Sequence, residues 1–160
     1  MNRRRFAFSA LSLISLIGLP GCAVSTGFTG SGKLTDLSDD DTVTIGLTTG
    51  QIGGSVAERT QFWENSAAVI ASLGAQKGYV GHDLRRELLG KRVWTMTVWR
   101  DEEALDAFVW SPVHQKAMRE SIGVFENARF ARLSIPAREL PLPWERARAA
   151  LDASDRIYAN

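Results

Sequence analysis

The sequence predicts an α+β fold of order βαββαβ, and three observations carry that prediction. Residues 42–48 and 93–99 alternate apolar and polar side chains at the two-residue period of a strand. Two further stretches, near residues 61–73 and 102–122, place apolar residues at helical spacing. The 119 residues from Thr42 to Asn160 are enough for a single core.

Each element has its own signal. Thr42-Val43-Thr44-Ile45-Gly46-Leu47-Thr48 is the first strand. Gln51–Val56, with two successive glycines, is a loop. From Gln61 to Leu73, Phe62, Ser66, Val69 and Leu73 form one helical stripe, and Gly74 and Gly78 end it. Tyr79–Leu89 reads as a strand with a polar stretch, closed by a turn at Gly90-Lys91. Val93–Trp99 is the strongest strand signal.

Asp101 is placed to cap the next helix, and Glu102 and Glu103 in its first turn suit the helix dipole. Ala104, Leu105, Phe108 and Val109 make its apolar stripe. Pro112 restarts the helix, which then runs to about Ile122. Ala128–Ile135 is a fourth strand, and Pro136, Pro141 and Pro143 forbid regular pairing beyond it. Glu145–Ala153 suits a short terminal helix. The order is the ferredoxin-like split βαβ arrangement. Two helices over four strands leave one sheet face uncovered, so a partner is expected to bury it.

The residues before Thr42 divide in two. Arg3, Arg4 and Arg5 precede the uncharged stretch Phe6–Leu19, which is too short for a membrane span and suits a signal-peptide core. It ends Leu19-Pro20-Gly21-Cys22, which resembles a bacterial lipobox whose cysteine receives lipid. Arg3-Arg4-Arg5-Phe6 is also similar to a twin-arginine export motif. The expectation is a lipid-anchored, extracytoplasmic protein of a bacterial envelope, with residues 1–22 as signal and lipidation site. Residues 23–41, rich in Ser, Thr, Gly and Asp, are expected as a flexible linker. The domain follows over 42–145, with a helical tail over 146–160.

Composition excludes several classes. The formal net charge is +1, but three of the 19 basic residues lie in the leader; sixteen remain against 18 acidic ones, a net −2. Nothing there suits nucleic acid. One cysteine and two histidines make no metal constellation. Gly50-Gln51-Ile52-Gly53-Gly54 lacks the Lys-Ser/Thr that a phosphate loop needs.

Val93 to Leu105, continuing through Phe108, Ser111 and His114, is similar to the strand-to-helix segment of antibiotic biosynthesis monooxygenase-like domains. Phe130–Pro141 followed by Trp144 looks like the last strand and exit of such relatives. The resemblance implies a dimeric α/β barrel, hence a homodimer that would bury the uncovered sheet face. Members include cofactor-free quinone-forming monooxygenases and haem-degrading enzymes. The haem-degrading pattern is missing: the first strand has no Asn, and the matching helix positions read Phe108 and Met118. No cofactor is therefore implied, and haem degradation is disfavoured.

His114 is the candidate catalytic residue, an imidazole able to move a proton to or from an aromatic hydroxyl. The alternative is that it caps the turn at the Pro112 kink. Trp63, Asn65, Trp94, Met96 and Phe108 are candidates to line a pocket for a small aromatic or lipophilic molecule. The bland reading of each is core, dimer packing or, for Asn65, solvent. Trp110 falls off the helix stripe, His82 is expected exposed, and Arg85, Arg86 and Glu87 are expected to form a solvated edge. Two functions follow: binding or oxidation of a small molecule, or a non-catalytic dimerisation or envelope-scaffolding module. The first requires a cavity lined by Trp94, Met96 and Phe108 with His114 at its edge; the second requires those side chains to fill the space.

Overall fold

The computed structural model describes residues 22–121 and 123–158. Of the signal and lipidation segment expected over residues 1–22, all but Cys22 lies outside them. Six strands form one antiparallel sheet, in the order β1-β3-β4-β2-β5-β6. They are β1 (Ala23–Ser25), β2 (Thr42–Ile52), β3 (Tyr79–Glu87), β4 (Arg92–Trp99), β5 (Phe125–Pro136) and β6 (Ile157–Tyr158). The helices are α1 (Ser31–Leu34), α2 (Val56–Leu73), α3 (Glu102–Val109), α4 (Pro112–Ser121) and α5 (Trp144–Asp152). The βαββαβ core expected from the sequence is β2-α2-β3-β4-α3/α4-β5, and the fold is ferredoxin-like α+β. Among the described residues no helix is long and apolar enough to cross a membrane.

Strand alternation assigns the two faces. Val93, Thr95, Thr97 and Trp99 of β4 lie on the side of α2, α3 and α4. There Trp99 and Tyr79 join Leu73, Leu105 and Phe108, while Val93 and Ile52 join Phe62 and Val124. Trp94, Met96 and Val98 lie on the other side, with Val43, Ile45 and Leu47 of β2. That second face is the one expected to be bare, and the chain covers it itself. Ala147 and Leu151 of α5 are buried against it, with Leu142, and Phe28, Leu34, Leu37 and Trp144 pack around them. The helix expected as a tail is thus part of the core.

The segment 23–41 is likewise no free linker. β1 pairs with β3 in the register Ala23↔Glu87, Val24↔Arg86, Ser25↔Arg85. Thr29 N–H donates to the His82 carbonyl at 2.8 Å, and His82 N–H returns a 2.9 Å bond. An edge strand's unpaired backbone groups accept a neighbour of almost any composition, because the ladder is made by the main chain. Side chains then fix the position: the Ser25 and Thr26 hydroxyls donate to Asp83 Oδ1 at 2.6 and 3.2 Å. Arg85, Arg86 and Glu87 are consequently not at a sheet edge, and His82, 8% exposed, is buried. The first correction comes from β1, which pairs with residues 85–87; at His82 the main chain pairs with Thr29, and the ring nitrogen Nδ1 lies 2.5 Å from the Tyr79 hydroxyl.

Element ends also shift. α2 begins at Val56, five residues before the expected start at Gln61, because Ser55 and Glu58 form a capping box: Ser55 N–H donates to Glu58 Oε2 at 2.7 Å, and Glu58 N–H to Ser55 Oγ at 3.3 Å. Asp101 caps α3 as expected, accepting from Ala104 N–H at 2.7 Å.

Candidate functional site

The five expected pocket residues do not share a pocket. Trp94 and Met96 point to the α5 side of the sheet, while Phe108 and Asn65 are buried on the opposite, helical side. The reason is the strand period: the even-numbered β4 residues and the stripe of α3 are on different faces. Trp99, an odd-numbered residue, is what meets Phe108, with ring centroids 4.8 Å apart and stacked. Trp63 is 45% exposed and touches Phe62 edge-on.

Asn65 is 5% exposed. Its carbonyl accepts from Gln61 Nε2 at 3.3 Å. Its amide nitrogen helps the Lys116 ammonium hold the Glu120 carboxyl below its usual range, yet has no well-formed hydrogen bond of its own.

His114 sits where α3 gives way to α4. Pro112 has no N–H to donate, so carbonyls at the end of α3 need other donors. The Val109 carbonyl receives Gln115 Nε2 at 2.8 Å and lies 3.0 Å from His114 Nδ1. That contact assigns the proton of the neutral ring to Nδ1 and leaves Nε2 as the basic nitrogen. The imidazole packs against Phe108 at 4.7 Å between centroids. Burial lowers its pKa below the ordinary 6.5, against a smaller opposing effect of the Val109 carbonyl. The turn-capping role is therefore present in the structure, beside a ring nitrogen still free to accept a proton.

Two cavities lie on the α5 side. One, about 350 Å³, is bounded by Ala131, Leu133, Ala150, Ser154 and Arg156, between β5 and α5. The other, about 250 Å³, lies at the C-terminal end of α5, and Trp94, one of the five pocket candidates, forms part of its wall. Arg85, Arg92 and Arg148 also line it, with Thr49, Glu87 and Asp152. The Arg85 guanidinium lies over the Trp94 ring, 6.0 Å from its centroid. Its Nε is buried with no acceptor. None of the three arginines takes part in an ion pair among the described residues. The Glu87 carboxylate is instead engaged with the β3–β4 turn, accepting the Arg92 backbone N–H at 3.2 Å.

Such a site has a clear chemical bias. A buried guanidinium N–H without an acceptor carries an unrecovered desolvation cost, which an incoming anion would relieve. A bidentate carboxylate matches the guanidinium fork, and the indole offers a face to an aromatic ring. Sequence reasoning identified Trp94, placed Arg85 at a solvated edge, and did not single out Arg92 or Arg148. The signal was the spacing Arg85↔Trp94 across the β3–β4 hairpin, which brings the two side chains to one face. Among the described residues no three His, Cys, Asp or Glu side chains cluster to hold a metal.

Comparison with known proteins bears on the helical layer and the sheet. Residues 57–120 match the family model described as antibiotic biosynthesis monooxygenase. No curated protein matches the chain. Among solved structures, a monooxygenase candidate from Lactobacillus acidophilus NCFM is 14% identical, with a TM-score of 0.50 over 63% of this chain. The match takes in 47% of that protein, so the chain corresponds to about half of its length. A variant of SnoaB, a cofactor-independent oxygenase from Streptomyces nogalater, is 22% identical with a TM-score of 0.50, covering 63% of this chain and 98% of that one. A dimeric ferredoxin-like protein of unknown function from Jannaschia sp. CCS1 is 14% identical, with a TM-score of 0.50 over 57% of this chain and 99% of that one. At these identities the solved structures establish the fold. Residues 57–120 are therefore similar to an antibiotic biosynthesis monooxygenase domain, and they lie within a ferredoxin-like α+β fold.

Proposed function

We propose that this protein is a lipid-anchored envelope protein whose monooxygenase-like domain binds a small anionic aromatic molecule beside Trp94. The observation that carries the reading is the cavity of about 250 Å³ lined by three arginines that form no ion pair among the described residues, one of them with a buried N–H lacking an acceptor there. Its volume is below the usual range for drug-sized ligands, so it suits a single-ring acid. Titration calorimetry of the purified protein with benzoate, and with benzyl alcohol as the neutral comparison, tests it. Benzoate is expected to bind and the alcohol to bind much more weakly. Equal binding of the two, or benzoate binding unchanged in Arg85→Gln, overturns the reading.

The lipid anchor rests on the lipobox at Leu19–Cys22 and on Cys22 being exposed. Cys22→Ala is expected to move the protein from the membrane to the soluble fraction. The homodimer implied by the resemblance would pair on a surface other than the sheet face that α5 covers, and native mass spectrometry reads it directly.

The cavity expected from Trp94, Met96 and Phe108 with His114 at its edge is not formed, so a catalytic reading rests on His114 alone, whose Nδ1 is held by the Val109 carbonyl and whose Nε2 is left to accept a proton. As a general base it would take the proton of an electron-rich phenol and leave a phenolate to react with oxygen. Oxygen uptake with a hydroquinone that disappears in His114→Gln supports it; uptake at the uncatalysed rate in the unaltered protein ends it.

A further inference from the structure

The tip of the β3–β4 hairpin carries two adjacent leucines in water. Leu89 is 102% exposed and Leu88 52%. Single exposed leucines are ordinary, but a consecutive pair at a hairpin tip has no internal packing role. Their position is the informative part. Leu88 N–H donates to the Cys22 carbonyl at 2.8 Å, so the cysteine of the lipobox is fixed one hydrogen bond from the tip. Val24, two residues on and 42% exposed, extends the apolar patch across β1. Arg86 and Lys91 flank it, both exposed and neither in an ion pair among the described residues. The hairpin is held in shape from within, by Glu87 Oε2 accepting the Arg92 N–H and by Ile52 N–H donating to the Lys91 carbonyl at 2.9 Å.

We infer that this tip is a membrane-seating surface: Leu88 and Leu89 enter the bilayer interface beside the acylated Cys22, and Arg86 and Lys91 meet lipid phosphates. The inference rests on the lipoprotein reading of Cys22 and adds to it an orientation. Acyl chains on Cys22 place the hairpin at the interface in every bound molecule, because β1 leaves no slack between the cysteine and the sheet. Apolar side chains there gain burial, and cations gain from anionic headgroups. The domain then stands with the Leu88–Lys91 end of the sheet on the membrane and the Gly74–Gly78 turn away from it. The cavity containing Arg85, Arg92 and Trp94, which Ala23 also borders, opens near the lipid surface. A flexible tether would have held the domain off that surface and given it no fixed orientation.

The test uses the full chain, acylated in cells, purified and reconstituted into phosphatidylethanolamine–phosphatidylglycerol vesicles. Leu89→Cys supplies a free thiol for an environment-sensitive dye, and Lys77→Cys supplies the same label at the far end of β3. Both residues are exposed, so neither change threatens folding. The dye at 89 is expected to emit at shorter wavelength on vesicles and to be quenched by lipid-borne spin labels, while the dye at 77 stays in water. A mass measurement on the Cys22 peptide reads acylation separately. Acylated protein with both dyes in water overturns the seating surface alone. An unmodified Cys22 overturns the anchor and the seating surface together.

Discussion

Trp144 Nε1 donates a 2.9 Å hydrogen bond to Asp83 Oδ2, joining the first turn of α5 to the middle of β3. The other oxygen of the same carboxylate accepts from Ser25 and Thr26. One buried acidic side chain therefore fastens both segments that lie outside the βαββαβ core onto a single sheet face. Those two segments, from opposite ends of the chain, occupy the surface that a bare four-stranded sheet would have to cover with a partner.

Trp144→Phe keeps most of the ring's packing and removes the donor. It is expected to cost about 1–3 kcal/mol, because Asp83 Oδ2 would remain buried without its partner. Urea unfolding should show a lower midpoint with an unchanged slope. An unchanged midpoint would mean that water replaces the indole N–H and that the bond adds nothing.

The arginines of the Trp94 cavity should differ in weight. Arg85 is half-buried and over the indole, whereas Arg148 is exposed. Arg85→Gln is expected to weaken benzoate binding by roughly tenfold to a hundredfold, as for loss of a charge-assisted hydrogen bond. Arg148→Gln should weaken it less than about threefold and only at low salt, since an exposed charge is screened. Equal losses in calorimetry would mean that the cavity acts only through its net charge.

The βαββαβ order, the Asp101 cap and the helix break at Pro112 were legible because each has a local cause: alternation, a capping carboxylate, a missing N–H. The Ser55–Glu58 capping box was equally local and marks the start of α2 ahead of the apolar stripe. What the chain did not disclose was long-range. Segment 23–41 has a linker's composition, yet its backbone pairs with β3, and pairing of main chain with main chain leaves little trace in side-chain pattern. His82 and Arg85 looked solvated for the same reason. The grouping of Trp94 and Met96 with Phe108 failed on a different point: similar chemistry close in sequence falls on opposite faces when one residue is on a strand and the other on the following helix. For His114, the turn-capping contact was legible from Pro112, but the burial that lowers its pKa was not.

Acid should destabilise the fold earlier than carboxylates alone would require. Burial lowers the pKa of both His82 and His114 below 6.5; the charge of Asp83 opposes this at His82, and the Val109 carbonyl at His114. Below 6.5 the unfolded chain takes up protons at these positions while the folded chain does not, so stability is lost as pH falls from 6.5 toward the folded values. The carboxyls with lowered pKa, at Asp41, Glu58 and Glu120, act in a more acidic window. Unfolding by urea at about pH 7.5 and about pH 5.5 should give a lower midpoint at the acid value. His114→Gln should reduce that difference. A midpoint independent of pH across this range would show that the rings are solvated in the folded protein.

Phe28 decides whether segment 23–41 behaves as part of the domain. Its ring packs against the sheet cluster and lies over Gly81, where a methyl group would run into it. Lys33, five residues on, has its ammonium over the Tyr79 ring and reaches the Gly74 carbonyl at 3.4 Å. Cleavage after Lys33 requires the segment to leave the sheet, so its rate reports local opening rather than global unfolding. Phe28→Ala removes apolar contact from a half-buried site, worth about 1–3 kcal/mol, and should speed tryptic cleavage after Lys33 by tenfold or more. Gly81→Ala should do the same by a different route, expelling the ring while leaving it in the chain. The unaltered protein should resist cleavage there while exposed sites such as Lys77 are cut. Equal cleavage at Lys33 and Lys77 in the unaltered protein would return the segment to a free tether, and with it the fixed placement of Cys22 beside the hairpin would be lost.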